Sequence, residues 1–158
     1  AYERGRGCVI AVNKWDLTKA HGITIEDIER QVKDKFKFLD FAPVMVLSAK
    51  TGRGVDKLLP RVELICAEYV RNIPTVRLNE CLERAVAKNP ISSYRGKFVK
   101  MFYSVQIKNR PPTFKCFINY PQGIHFSYER YLINSLREMF GFSGTPVRLV
   151  FSGKSERV

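Results

Sequence analysis

Two short polar stretches hold the side chains best suited to chemistry: Asn13-Lys14-Trp15-Asp16 and Ser48-Ala49-Lys50. They offer a carboxylate that only accepts hydrogen bonds, an amide that both donates and accepts, a hydroxyl, and two ammonium groups. Such a set reads the hydrogen-bond pattern of a polar ligand. No catalytic constellation accompanies it, because His125 has no nucleophile patterned around it and reads as a turn or packing residue. No metal site is indicated either. Cys8, Cys66, Cys81 and Cys116 are scattered without a CxxC pair, and only His21 and His125 could assist them, so free cytosolic thiols are expected.

The elements that must position these stretches follow from the apolar pattern. Cys8-Val9-Ile10-Ala11-Val12 reads as a strand apolar on both faces, followed by the loop 13–22. Thr24, with Asp27 three residues on, predicts a helix start, and Ile25, Ile28, Val32, Phe36 and Leu39 recur at helical spacing. Residues 43–47 form a second apolar run, followed by the loop 48–54. A helix then carries the stripe Val55, Leu58, Leu59, Val62, Ile65, Cys66 and Tyr69, with Pro60 kinking it or delaying its start. Alternating strand and helix predicts a parallel sheet covered by helices, in which ligand loops lie at the carboxyl ends of strands. Both polar stretches occupy that position. A polar turn after a strand is common, so either stretch alone would be a modest signal; two of them, each closing an apolar strand, make a stronger one.

Asn13-Lys14-Trp15-Asp16 and Ser48-Ala49-Lys50 resemble the NKxD and SAK guanine-recognition motifs of GTPases. The resemblance implies that Asp16 accepts from the guanine ring N–H and exocyclic amino group, and that the stem of Lys14 lies along the base. It implies further that Asn13 ties the two loops together and that the Ala49 backbone N–H meets the guanine keto oxygen. Ser48 and Lys50 complete the second motif. A GxxxxGK[ST] phosphate loop and the Asp-containing segments that hold magnesium are missing from the sequence. The expectation is therefore a truncated P-loop GTPase half-domain that begins midway, is not itself an enzyme, and binds GTP poorly. GTP or GDP, with the magnesium site, would belong to a longer parent that hydrolyses GTP to GDP and phosphate. Residues 8–12 would be left as an exposed apolar edge.

Charge separates the chain in two. The whole carries 27 Lys and Arg against 15 Asp and Glu, a net +12, which favours a polyanionic partner such as nucleic acid. Residues 1–75 hold 13 basic and 10 acidic side chains, and residues 76–158 hold 14 and 5, so the polyanion contact is expected in the second part. No apolar run reaches the roughly 18 residues of a membrane span, so no membrane role is expected. Pro74 blocks helix continuation and marks a boundary. The expected organisation is a half-domain over 1–74, a second domain over 75–153 and a flexible tail over 154–158.

In the second domain Leu78, Cys81, Leu82, Ala85 and Val86 predict a helix. Residues 98–108 then alternate, with Val99, Met101, Tyr103, Val105 and Ile107 on one face and Phe98, Lys100, Phe102, Ser104, Gln106 and Lys108 on the other. Pro111 and Pro112 occupy a hairpin turn, and Phe114, Cys116 and Ile118 continue the core face opposite Lys115 and Phe117. Ser127 is placed to cap a helix ending at Gly141, and residues 147–151 form a last strand. The expected order is α-β-β-α-β, so the chain as a whole is α/β followed by α+β.

The segments Pro111-Pro112-Thr113-Phe114, Phe117-Ile118-Asn119, residues 125–132, Leu136-Arg137-Glu138 and residues 140–148 resemble the carboxyl-terminal KH-like domain of the bacterial ribosome-assembly GTPases of the Der (EngA) family. The NKWD loop is similar to that of the second of the family's two GTPase domains. The resemblance implies a cytoplasmic, carboxyl-terminal fragment of a GTP-binding protein of large-subunit assembly. Its implied partners are the large ribosomal subunit, its rRNA, and the GTPase domains of its own parent. The alternative is a stand-alone RNA-binding or ribosome-docking module without nucleotide function. For RNA contact the alternation offers Lys100, Phe102, Lys108, Lys115, Phe117 and Arg148, basic groups for phosphates and aromatics for bases. A docking surface for a GTPase domain is the equal alternative for that face. Gly141-Phe142-Ser143-Gly144 spells the GxxG of KH domains, but it joins the last helix to the last strand, where a glycine stop and a tight turn are expected anyway.

Overall fold

A computed structural model describes residues 3–18 and 22–153; His21 and the tail 154–158 lie outside the described residues. The chain forms two compact units, Ala1–Tyr69 with Phe142–Pro146, and Val70–Gly141 with Val147–Val158.

The first unit contains β1 (Ile10–Val12), α1 (Trp15–Thr18), α2 (Ile25–Lys35), β2 (Val44–Val46) and α3 (Leu58–Tyr69). β1 and β2 pair in parallel with Ile10 opposite Val44, and α2 supplies the crossover that parallel pairing requires. Thr24 and Asp27 form a reciprocal capping box at the start of α2. The helix is shorter than its periodicity predicts. It stops at Lys35, a 3-10 turn takes Lys37–Leu39, and no residue of α2 is buried. α3 begins at Leu58, so Pro60 falls in the first turn, where its missing N–H has no intrahelical partner to lose. Of the stripe expected on α3, Ile65 alone is buried; Val62 and Leu59 are exposed, as is Val55 in the turn before the helix.

The segment Phe142–Pro146 belongs with this unit. Phe142 is fully buried and its N–H donates to the Glu68 carboxylate at 2.8 Å. Gly144 donates to Phe41 and accepts from Cys8, both at 2.8 Å. Its φ is +72°, and a Cβ there would stand 2.5 Å from Ile65 Cγ1, so glycine is required twice over. The GxxG spelling thus serves a helix stop at Gly141 and a close backbone approach at Gly144.

The second unit contains α4 (Thr75–Lys88), β3 (Met101–Asn109), β4 (Pro112–Ile118), α5 (Phe126–Phe140) and β5 (Arg148–Ser152), the α-β-β-α-β order read from the sequence. The sheet order is β3-β4-β5, with β3 antiparallel and β5 parallel to the central β4. Both helices cover one face. Leu78 and Leu82 of α4, Leu132 and Leu136 of α5, and Phe114, Cys116 and Ile118 of β4 are all at most 1% exposed. Each such leucine contributes about 2 kcal/mol by leaving water. Ser127 does not cap α5; His125 does, its Nδ1 accepting from the Ser127 N–H. The imidazole reaches the first turn from one residue outside it, and the Ser127 hydroxyl bonds to the same nitrogen at 2.7 Å.

Candidate guanine and RNA sites

The first candidate site stands where β1 and β2 end side by side. Asn13 Oδ1 accepts from the Lys14 N–H at 2.7 Å and from the Ala49 N–H at 3.0 Å, so one side-chain oxygen joins the two loops. The Trp15 N–H donates to Leu47 O at 3.1 Å, a second tie between them. Ser48, fully buried, donates its hydroxyl to Asp16 Oδ1 at 2.5 Å and accepts from the Thr51 N–H at 3.3 Å. Bonds this short are typical of a hydroxyl on an ionised carboxylate. The Ser48 hydrogen bond, assisted by Lys50 and Lys14, holds the Asp16 carboxyl below its usual pKa, keeping it an acceptor. Lys14 has φ +67°, the left-handed region that a non-glycine residue adopts only when its surroundings dictate it. Here the Asn13 and Trp15 bonds on either side impose it. Trp15 is 7% exposed beneath the loop, with its indole N–H buried and unpaired.

All six residues read from the two motifs therefore gather at one sheet end, each placed by a strand terminus. One detail differs from the reading of the motif. The Ala49 N–H, assigned above to a guanine keto oxygen, is held by Asn13. The sheet end thus gathers a carboxylate kept ionised, two lysines beside it, and a backbone N–H already bonded to Asn13. Among the described residues no group of His, Cys, Asp and Glu is gathered as a metal would require.

The second candidate site is the sheet face away from α4 and α5. Two register shifts decide what it carries, one between Met101 and Tyr103 and one between Gln106 and Lys108. Phe102 is the extra residue of the first bulge, and beyond it the alternation inverts. Ser104 turns inward, fully buried, and exchanges backbone bonds with the Asn79 side chain at 2.8 and 2.9 Å. Gln106 turns inward too, its amide gripping Ile73 N–H and Arg71 O. The second bulge restores the phase, so Lys108 emerges where the alternation placed it.

The outward face so formed carries Tyr103, Val105, Lys108, Lys115, Phe117 and Arg148, paired by register across the strands. Lys108, Lys115, Phe117 and Arg148 lie there as expected, but Phe117 is buried, so its ring is not itself open to a base. Phe102 does not; it lies with Asn79, Leu82 and Val86 of α4. Lys100 precedes β3, its N–H donating to Asn119. Tyr103 was missed. Its ring stacks on Phe117 with centroids 4.3 Å apart and planes 18° from parallel, and the Lys115 ammonium stands 5.1 Å from the Phe117 centroid. No sequence pattern marks it, because the bonds that hold Ser104 inward join its backbone to the Asn79 side chain.

Residues 72–152 match the family described as the KH-domain-like, carboxyl-terminal domain of EngA bacterial GTPase enzymes. The chain belongs to the EngA (Der) family. Similar relatives include GTPase Der of Geobacillus thermodenitrificans, 43% identical over 150 residues that make up 95% of this chain and 34% of that one. GTPase Der of Geotalea uraniireducens is 43% identical over 158 residues, and that of Citrifermentans bemidjiense 40% over 157, each covering 99% of this chain and 36% of the relative. The chain thus spans about a third of the length of the curated Der proteins it matches. No helix among the described residues is long and apolar enough to cross a membrane.

Proposed function

We propose that this Der-family chain carries the base-reading edge of a guanine-nucleotide site and a basic, RNA-contacting KH-like domain, and that both act in assembly of the large ribosomal subunit. On this reading residues 1–74 are the end of a P-loop GTPase domain and residues 75–153 the KH-like domain. GTP hydrolysis and magnesium belong to a longer polypeptide, whose other GTPase domains are partners, together with the large subunit and its rRNA in the cytoplasm.

The observation that carries the nucleotide half is the Asn13–Ala49 and Asp16–Ser48 pair of bonds, which braces an ionised carboxylate at the end of two parallel strands. Two N–H groups on one ligand edge would both donate to Asp16, and adenine has no such pair, so guanine is selected by leaving the wrong base unpaired. Binding costs the Ala49 N–H its bond to Asn13, and affinity in this chain is expected to be weak.

Trp15 is the only tryptophan and lies within the base loop, so its fluorescence reports the site. Titration with GDP, GTP and ADP should give a guanine-specific signal that Asp16→Ala abolishes. No signal with millimolar GDP would remove the nucleotide reading and leave the stand-alone RNA or ribosome-docking module.

A further inference from the structure

We infer that the Tyr103–Phe117 stack, with Lys115 beside it, is a platform for an unpaired RNA base on the open face of the KH-like sheet. The inference rests on the RNA-binding reading above and specifies where and in what form the RNA is held.

Phe117 and Tyr103 are neighbours across β3 and β4, yet their exposures differ sharply. Phe117 is 3% exposed and Tyr103 is 49% exposed. Tyr103 stacks on the buried ring and the Lys115 ammonium stands over it, while Tyr103 itself keeps about half its surface open to solvent. A ring held against a second ring has lost its freedom before a ligand arrives, so little ordering remains to oppose a base stacking on it. The bulge at Phe102 aims Tyr103 outward, and bulges are recurrently used to re-aim side chains beside functional sites.

The electrostatics of this face select the partner. Between Glu83 and Glu129 the chain has no acidic side chain at all, while Arg95, Lys97, Lys100, Lys108, Arg110 and Lys115 fall within that span. Lys108 and Lys115 share the outward face with the stack. Aromatic rings beside cations, with no carboxylate on β3, β4 or β5, match a single strand: bases stack on the ring and phosphates lie over the lysines. A duplex offers the ring no free base face, because its bases are stacked on one another, and it would use the lysines alone.

The test compares an unstructured uridine-rich 12-mer with a 12-base-pair RNA duplex, each titrated with the full chain across a salt series. The wild type should prefer the single strand. Tyr103→Ala should weaken single-strand binding by about 10-fold without changing its salt slope, and Tyr103→Phe should retain it. Lys115→Gln should instead reduce the slope by about 0.7. Tyr103→Leu, which keeps apolar cover over Phe117 but offers no ring, serves if the alanine variant unfolds. Salt-sensitive RNA binding that neither Tyr103→Ala nor Tyr103→Leu alters would overturn the platform while leaving the RNA reading intact. A wild type that binds neither RNA at low salt would overturn both and leave the face to a protein partner.

Discussion

The two sheets of this molecule expose their chemistry differently. The parallel pair β1–β2 is three residues long in each strand, and its chemistry lies at the strand ends, where two loops are bonded to each other. The mixed sheet β3–β5 presents its chemistry on a face, where the bulge at Phe102 decides that Tyr103 and Val105 reach outward. Packing differs in parallel. The helices of the second unit bury Leu78, Leu82, Leu132 and Leu136 almost completely, whereas α2 buries nothing and α3 buries Ile65 alone. A strand-end site needs only that two strands stop side by side; a face site needs the register of every residue before it.

The largest expected effect breaks or supports the packing contrast. Phe114→Ala, at a ring with no exposure in the central strand, should cost about 3–5 kcal/mol. Ile10→Ala, in a half-buried strand of the first unit, should cost about 1–2 kcal/mol. Urea denaturation of both variants decides, and equal costs would contradict the contrast.

A second pair of measurements separates the two sites. On the proposed reading Asp16 accepts two charge-assisted hydrogen bonds from guanine, so Asp16→Ala should lower GDP affinity by about 100-fold while leaving RNA binding unchanged. Loss of both together would mean that the sites are not independent.

Thiol labelling sharpens the same comparison. Cys66 of the first unit is exposed, while Cys116 of the second is buried and its pKa is pushed up to about 11 by that burial. Since the thiolate is the reactive form, Cys116 should label at least about 10-fold more slowly than Cys66. Mass spectrometry of partially alkylated protein reads the order.

The smallest effect concerns the Asp16 carboxyl. The Ser48 hydroxyl favours its ionised form, so the folded pKa lies below the unfolded one. The bond's contribution is present above the ordinary carboxylate pKa and is lost as pH falls through the lowered value. Ser48→Ala should move the Asp16 titration upward, as followed by NMR.

These differences also explain what the sequence made legible. Asn13, Asp16 and Ser48 follow directly on apolar runs, so contiguity with a strand places them without knowledge of the rest of the fold. The order of the second unit was equally visible, because each element there has a clear period and a proline or glycine at its end. Tyr103 was not legible, since strict alternation carries no mark of the extra residue at Phe102, and Ser104 is held inward through its backbone by the Asn79 side chain of α4 while the Gln106 amide reaches the backbone of the segment before that helix. The break in α2 at Phe36 was hidden for a related reason, as Phe36 and Leu39 keep the helical spacing although the backbone tightens to a 3-10 turn. The packing of Phe142–Pro146 into the first unit depends on contacts with Cys8 and Phe41, more than a hundred residues away, that no local pattern encodes.

Cosedimentation of the chain with purified large and small ribosomal subunits across a salt series tests the central claim most directly. The account predicts binding to the large subunit that weakens steeply as salt rises, because phosphate contacts release counterions. Binding to neither subunit at low salt, or equal binding to both, would contradict it.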